Sequence, residues 1–381
     1  MTDAAALDQR RLLADSVADY CRRSDPLRRA RALRGTDPGF DRSAWQEMAS
    51  LGWLGVGVPE AWGGLGLALA EQAVVARGLS AAVMPEPVTA AMIATRAIVG
   101  CTDGALKASL LEGIVGGAIL PALAWQAAHG DIDPARCAVV AAPDTAAPGT
   151  LLLDGRACFV VGACGADGFV VAARTPDAPA LCWVPAGTPG LSLSPHRLAD
   201  GRPVADLRFE RVGVPSSHRL AIGEAAREAL AAALDEGQFA IAAELLGLSQ
   251  RVLDMTLDYL RTRTQFGRPI GAFQALQHRA VDLYIHLRIG DAAFDQALRQ
   301  AGGGDADRRA AAASRAKARA CETAHHITRE AIQMHGAIGF TDDCDVGLYV
   351  KRALVLSAWL GNARLHRSRY AALVPLDAAE A

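Results

Sequence analysis

The stretch that decides the fold lies late in the chain and reads Tyr259-Leu260-Arg261-Thr262-Arg263-Thr264-Gln265-Phe266-Gly267-Arg268-Pro269-Ile270, continuing to Phe273-Gln274-Ala275-Leu276-Gln277-His278. Apolar residues recur at helical spacing on both sides of it, over residues 224–263 and 272–299. Both segments are longer than the usual globular helix. The stretch is therefore the connection between two long helices and carries cationic, amide and aromatic side chains.

The helical period continues to the end of the chain, over residues 308–333 and 346–373. The tract Gly302-Gly303-Gly304 is best interpreted as a connection, because no phosphate-loop pattern surrounds it. Long helices with few loops predict a bundle whose apolar faces meet each other or a second subunit.

The first two thirds of the chain divide into two regions. Up to about residue 120 the apolar spacing is again helical, and the glycine-rich stretch Leu51 to Gly66 predicts a structured loop between helices. Between about residues 121 and 220 short β-rich runs alternate with Pro, Gly and Asp, which predicts a small β domain. Asp154-Gly155 has the composition of a hairpin turn that would join two of these runs. We thus expect a mainly helical protein with a central β domain, divided into residues 1–120, 121–221 and 222–381.

Composition excludes several classes of function. The 381 residues include 39 Lys plus Arg against 41 Asp plus Glu, so no positive field exists to hold nucleic acid or an anionic membrane. No run of about 18 apolar residues could form a membrane span. Residues 1–11 mix both charge signs and lack the apolar core of a signal peptide, so a cytoplasmic location is expected. The eight cysteines show no CxxC and no metal-like spacing with His, so no metal is expected.

Three strings in this order resemble the acyl-CoA dehydrogenase family. They are Leu51 to Gly66, Tyr259 to His278, and Gln333-Met334-His335-Gly336-Ala337-Ile338-Gly339-Phe340-Thr341. The resemblance spans nearly the whole chain. It implies an N-terminal helical domain, a small β-barrel-like domain and a C-terminal four-helix bundle. It also implies FAD and the oxidation of an acyl-CoA thioester to the trans-2-enoyl thioester.

The chemistry of FAD suits these strings. Arg263 offers a forked set of donors to a pyrophosphate, Phe266 offers an aromatic wall to the adenine, and Gly336 lets the backbone approach closely. Taken alone, Arg263 would be a solvated cation at a helix end and Phe266 a core residue. In the family, the matching positions contact the FAD of a neighbouring subunit, which implies an oligomer. The resemblance gives this cofactor-binding set: Arg263, Gln265, Phe266, Gln274, His278, Gln333, Gly336 and Phe159.

The reaction of the family needs a carboxylate that removes the α-proton of the thioester. One subgroup carries this Glu in a string of the form YEGT, which matches Trp359-Leu360-Gly361-Asn362 here, and Leu360 cannot accept a proton. Another subgroup takes it from the preceding long helix, where Glu244 interrupts an apolar face. Burial would raise the pKa of such a carboxyl and suit it as a base, whereas pairing with an Arg across a helix interface is the alternative. Glu236 is the second candidate.

The β domain departs from the family pattern. The family's string TEPxAGSD, which holds the flavin ring, corresponds to Ala124-Trp125-Gln126-Ala127-Ala128-His129-Gly130-Asp131. Where the family commonly has a tryptophan and a threonine, this chain has Phe159, which can cover a ring, and Val161, which has no hydroxyl.

These departures leave three hypotheses open. The chain could be a complete homotetrameric enzyme, or a half-site subunit of an α2β2 dehydrogenase of the kind that acts on steroid or other bulky acyl-CoA side chains. It could also be a related flavin oxidase or monooxygenase. The family implies an acyl-CoA substrate and an electron-transfer flavoprotein as the acceptor.

Overall fold

The computed structural model describes residues 3–102, 104–302 and 305–374. Its helices are α1 (Asp3–Arg23), α2 (Pro26–Leu33), α3 (Arg42–Ser50), α4 (Leu69–Ala81), α5 (Val88–Val99), α6 (Ala105–Val115), α7 (Glu224–Thr262), α8 (Gln274–Ala301), α9 (Ala306–His335), α10 (Val346–Ala358) and α11 (Ala363–Leu373). Its strands are β1 (Pro121–Ala124), β2 (Val139–Pro143), β3 (Leu151–Val161), β4 (Gly168–Arg174), β5 (Pro179–Pro185), β6 (Leu191–Arg197), β7 (Pro203–Val214), β8 (Arg219–Ile222), β9 (Thr264–Gln265) and β10 (Arg268–Pro269). Of the predicted connection at residues 302–304, Gly302 ends α8 and the other two glycines lie outside the described residues.

The first compact unit comprises residues 33–72 and 85–237 and contains the large sheet. The strand order is β6-β7-β3-β2-β4-β5-β8, with β1 parallel to β4. The alternation of apolar residues along the strands places one face of the sheet in a core that includes Leu153, Phe169 and Phe209. The composition of this region therefore predicts the β domain correctly.

The predicted hairpin turn at Asp154-Gly155 is wrong. Both residues lie inside β3, where the register with β7 shifts between Leu153 and Gly155. Gly155 has a φ of 121°, and the Asp154 carboxylate accepts a hydrogen bond from the backbone N–H of Arg211 at 2.8 Å. The dipeptide thus continues the strand opposite a bulge in β7, where Glu210 and Arg211, the latter with a φ of 50°, together oppose Asp154.

The stretch Leu51 to Gly66 is the structured loop that its glycines predict. It runs from the end of α3 to the start of α4 through two short 3-10 turns, Trp53–Gly55 and Glu60–Trp62. Gly64 is required by close packing, because a Cβ atom there would lie 2.1 Å from the carbonyl oxygen of Val58. The loop is part of the same unit as the sheet.

The second compact unit comprises residues 1–32, 73–84 and 238–381. Its long helices approach closely where α8 presents Gly290, since a Cβ atom there would lie 2.9 Å from atoms of both Leu246 and Thr323. Nine of the seventeen buried residues of α9 are alanines, whose small side chains let neighbouring helices come near. The bundle that the helical period predicts is therefore present.

The last predicted helical segment, 346–373, is two helices and not one. α10 ends at Ala358, Leu360 and Gly361 have positive φ angles of 54° and 99°, and α11 begins after Asn362. The Asn362 side chain accepts a hydrogen bond from the N–H of Leu365 at 3.0 Å and so caps α11. Gly361 and Asn362 are residue types that favour a helix end and a helix start, but the apolar period continues across them and predicted a single helix.

The predicted class, mainly helical with a central β domain, is confirmed. The division at residues 120/121 and 221/222 stays a prediction, although β1 to β8 all lie between Pro121 and Ile222. Within the described part of the chain, every helix is too short or too polar to span a bilayer.

Candidate functional site

The stretch after α7 forms a small hairpin that displays its side chains. β9 and β10 pair antiparallel, with Arg268 opposite Gln265, and Phe266 and Gly267 form the turn with φ angles of 53° and 76°. A positive φ is strained for a phenylalanine, so the fold holds this residue in an unfavourable conformation. Its side chain is 90% exposed. The aromatic ring therefore projects from the unit and packs little against its own chain.

Three contacts stabilise the hairpin. The Arg268 guanidinium lies over the ring of Phe273, 4.3 Å from its centroid, and Phe266 meets the same ring edge to face at 6.1 Å. The N–H of Ile270 donates to the carbonyl oxygen of Arg263 at 2.8 Å. The Arg263 guanidinium is exposed and has no hydrogen bond or ion pair with any residue that the structure describes. The backbone of Arg263 is therefore fixed by a hydrogen bond, whereas its guanidinium is available to bind a ligand.

The second string, at the end of α9, lies beside the first. The imidazole of His335 stacks on the ring of Tyr259 at 4.4 Å, and the Tyr259 hydroxyl donates to the His335 carbonyl oxygen at 3.2 Å. Burial lowers the pKa of His335, so a neutral imidazole faces the tyrosine. This stack joins two strings that lie far apart in the sequence.

Gly336 follows this stack and leaves its backbone open. It has a φ of 67°, and a Cβ atom built there would meet nothing within 4 Å. Glycine is therefore favoured here by the positive φ angle and not by close packing against the rest of the chain. Gln333, Gln265, Gln274 and His278 are also exposed. The residues present fit the phosphate and adenine end of FAD, with a free cation, an aromatic face, amides and open backbone on one surface.

The residues at the predicted flavin-ring positions of the β domain offer few polar groups to bind the flavin ring. The backbone carbonyl of Gln126 accepts from the N–H of Cys158 at 2.8 Å, and the Gln126 side chain is buried. Phe159 is half-buried, has a φ of 54°, and meets the ring of His129 edge to face at 6.3 Å. Val161 has no donor. The departure from the family at this end of the cofactor stays a prediction.

The first candidate base, Glu244, is held in a buried ion pair. Its Oε2 accepts from Nη2 of Arg352 at 2.8 Å, and both side chains are less than a tenth exposed. Its other oxygen, Oε1, is buried with no donor among the described residues. The pairing with an Arg, which the sequence left open as the alternative, is what the structure contains. The ion pair therefore engages one of the two carboxylate oxygens of Glu244.

The second candidate, Glu236, is also paired. Its Oε1 accepts from Nε of Arg96 at 2.7 Å, and both side chains are mostly buried. Arg96 lines a small cavity with Trp53, Gln72 and Thr95. Neither candidate carboxylate is free, and the catalytic role of each stays a prediction.

The segment that matches YEGT is fixed by residues that the sequence did not single out. Lys317 is fully buried, and its Nζ donates to the carbonyl oxygen of Gly361 at 2.8 Å. Burial lowers its pKa. His366 is also fully buried, and its Nε2 lies 2.8 Å from the Leu360 carbonyl oxygen. Burial, with a smaller contribution from the charge of Lys317, lowers the pKa of His366 to about 3. A charged residue inside an alanine-rich helix was the one available signal for Lys317.

Two family models match the chain. The acyl-CoA dehydrogenase N-terminal domain matches residues 8–118 and the acyl-CoA dehydrogenase C-terminal domain matches residues 227–374. The acyl-CoA dehydrogenase IpdE2 of Mycolicibacterium smegmatis is 28% identical over 94% of this chain and 96% of its own length.

Solved structures agree in fold and sequence. A variant of the steroid ACAD Tcur3481-Tcur3483 is 31% identical, with a TM-score of 0.86 over 99% of this chain and 100% of its own. The ChsE4-ChsE5 complex of Mycobacterium tuberculosis is 26% identical, with a TM-score of 0.84 over 97% of this chain and 96% of its own.

Proposed function

Because this chain belongs to the acyl-CoA dehydrogenase family, which is a family of oxidoreductases, we propose that it takes part in the FAD-dependent conversion of an acyl-CoA to the trans-2-enoyl-CoA. We assign it one half of a composite site, in which it helps to hold a FAD and a second, related chain supplies the catalytic base. One contrast carries this proposal: Glu244 and Glu236 are each neutralised by an arginine, whereas the Arg263 guanidinium has no partner in the described parts of the chain.

The proposed contribution to cofactor binding is local. Arg263 donates to the pyrophosphate, Phe266 lies against the adenine, and Gln333 and the backbone at Gly336 bind the polar edges. When bound, FAD supplies the acceptor for the hydride that leaves the β-carbon of the thioester. The strained, exposed conformation of Phe266 supports this assignment, because such strain is retained where a ligand or partner uses it.

Two features support a base outside this chain. One oxygen of Glu244 already accepts a hydrogen bond from Arg352 at 2.8 Å, and both side chains are buried, so this carboxylate is engaged in an ion pair within the chain. At the position of the Glu in YEGT the chain has Leu360, which is 6% exposed. His366 contacts the carbonyl oxygen of Leu360, and Lys317 donates to that of the next residue, Gly361. The proposed half-site subunit thus keeps the architecture of that segment without its carboxylate.

An exposed apolar face supports an oligomer. Val281, Tyr284, Ile285 and Ile289 lie on one side of α8, and each is about half exposed. Contiguous apolar surface of this kind marks a protein interface. We propose an α2β2 assembly, because the structures named Tcur3481-Tcur3483 and ChsE4-ChsE5 each pair two proteins.

Two finer assignments follow from the relatives. The steroid ACAD suggests a bulky acyl-CoA, such as a steroid side chain, as the substrate. Electrons would then pass to an electron-transfer flavoprotein, the acceptor that the resemblance implies.

The visible spectrum of the purified chain tests the composite site. We expect the chain alone, titrated with FAD, to bind less than one FAD per chain and to show no bleaching when octanoyl-CoA or a steroid acyl-CoA is added without oxygen. The tagged chain, isolated from its native cells, should carry a second acyl-CoA dehydrogenase-family polypeptide in a 1:1 ratio, and that complex should bleach. A full complement of FAD that bleaches in the isolated chain would instead establish a complete homomeric enzyme.

A further inference from the structure

Three metal-ligating side chains converge on the sheet of the first unit. They are His129 in the connection between β1 and β2, Cys158 in β3 and Asp206 in β7. One ligand atom from each lies within 4.8 Å of the other two. None of the three is close to another in sequence, and their meeting depends entirely on how the strands pair.

A bulge in β3 creates the cluster. Ala157 pairs with Leu207 and Val160 pairs with Ala205, so Cys158 and Phe159 together oppose the single residue Asp206. The backbone N–H of Phe159, freed by the bulge, donates to Oδ1 of Asp206 at 2.8 Å. Such irregularities redirect side chains and are enriched beside functional sites. Here the bulge brings a thiol and a carboxylate to one point.

His129 completes the set from the adjoining connection. Its Nε2 lies 3.2 Å from Oδ1 of Asp206. In a tetrahedral zinc site the donor atoms lie about 3.3–3.6 Å apart, which follows from bond lengths of about 2.0–2.3 Å. The observed separations therefore need only small side-chain movements to enclose an ion. Imidazole, thiolate and carboxylate together favour zinc over the hard cations Ca²⁺ and Mg²⁺.

The surroundings also suit a metal ion. Nε2 of His196 lies 3.8 Å from Oδ2 of Asp206, in the place where ligating carboxylates receive a second polar partner. His129 is 61% exposed in its side chain, and an open cavity of about 720 Å³ is lined by His196 and Asp206. The cluster thus has an exposed imidazole and a carboxylate that borders the cavity, while the Cys158 thiol is fully buried behind them.

We propose that His129, Cys158 and Asp206 form a zinc site with an open fourth position. The ion would tie the connection between β1 and β2 to the bulge of β3. The proposal names three side chains that are not among those assigned to FAD above, and it adjoins that assignment because His129 contacts the ring of Phe159.

Zinc binding to the metal-free full-length chain tests the proposal. After dialysis against a chelator, we expect competition with a chromophoric chelator to report one Zn²⁺ per chain. Co²⁺ in place of Zn²⁺ should give a near-ultraviolet thiolate-to-cobalt charge-transfer band. The variants His129→Ala and Cys158→Ser should lose at least about tenfold in zinc affinity, by analogy with the loss seen when supporting groups are removed.

Asp206→Asn separates the metal role from the support of the bulge. The asparagine oxygen can still accept from the Phe159 N–H, so we expect the variant to melt like the metal-free wild-type chain and to bind zinc weakly. His218→Ala and Cys137→Ser are matched controls in the same unit that should leave the affinity unchanged. The proposal is overturned if the wild-type chain binds no stoichiometric zinc, if His129→Ala and Cys158→Ser bind it equally well, or if the cobalt spectrum lacks the thiolate band.

Discussion

The Nζ atom of Lys317 lies 2.8 Å from the carbonyl oxygen of Gly361, in a part of the protein that water does not reach. The same ammonium group lies 3.4 Å from the carbonyl oxygen of Ser357 and 3.4 Å from the sulfur of Cys321. One side chain from α9 thus satisfies the backbone on both sides of the break between α10 and α11. Carbonyl groups at the end of a helix have no partner within it, and a buried cation is a strong substitute.

Replacing Lys317 by Met should destabilise the second unit. The methionine fills a similar volume but leaves the carbonyl group of Gly361 buried without its donor, and that of Ser357 with only the weak thiol donor of Cys321, at a cost of about 1–3 kcal/mol. The free energy of unfolding in urea measures this loss. Lys351→Met makes the same chemical change in α10 and should have little effect, because no hydrogen bond or ion pair of the Lys351 side chain is present among the described residues. Equal stability of the two variants would contradict the anchoring role.

Replacing Glu244 by Gln should weaken the fold and leave catalysis intact. The change removes the charge of the carboxylate that accepts from Nη2 of the buried Arg352, and breaking a buried ion pair in this way costs about 3–5 kcal/mol in denaturant unfolding. Glu224→Gln, in an exposed pair on the same helix, should cause no measurable change. In the assembled complex, acyl-CoA oxidation by the Glu244→Gln variant should proceed at the wild-type rate. A folded variant whose flavin is no longer reduced would identify Glu244 as the base.

The protein should lose stability as the pH falls below the range of a free histidine, and His366 should account for part of the loss. Its pKa is lowered from 6.5 to about 3 in the folded state, so the unfolded chain binds a proton over this interval and the folded chain does not. Stability is therefore full above about 6.5 and declines towards 3. Unfolding curves at several pH values should show a shallower decline in His366→Gln. The same substitution at His218 should leave the dependence of the unfolding free energy on pH as in the wild type. If His366→Gln also leaves that dependence unchanged, His366 does not account for the loss.

Replacing Arg263 by Ala should weaken FAD binding by the assembled complex. A charge-assisted hydrogen bond to phosphate contributes about 1.5–3 kcal/mol, so the affinity should fall by roughly one to two orders of magnitude. Arg263→Lys should fall in between, because an ammonium cannot bind two oxygens as a fork. Arg261→Ala removes a neighbouring guanidinium that pairs with Asp258, and its FAD affinity should match the wild type. Fluorescence of released FAD measures all three, and equal affinities would remove Arg263 from the site.

Features that depend on neighbours in sequence could be predicted. The loop from Leu51 to Gly66 follows from its glycines, whose conformational freedom is a local property. The long helices follow from their apolar period, as does the presence of a connection between α7 and α8. The family strings carried the prediction of a cofactor surface, and the structure adds that Phe266 and Arg263 are both exposed there.

Features that depend on distant partners could not be predicted. Arg352, the partner of Glu244, lies 108 residues further along the chain, so the sequence could name the pairing only as an alternative. Asp154-Gly155 has the composition of a turn, but it continues a strand here because β7 accommodates it with a bulge at Glu210 and Arg211. His129, Cys158 and Asp206 have no recognisable spacing, because strand register and not sequence distance brings them together.

The pair of Glu244 and Arg352 also limits how this protein can evolve. If either residue is replaced alone, the charge of the other stays buried without this ion pair. Single replacements should therefore destabilise the protein and be selected against. A double replacement by apolar residues of similar volume avoids that penalty, and the two energies are strongly non-additive. We expect descendants of this chain to keep both residues or to exchange both, and the two positions to be inherited as one unit.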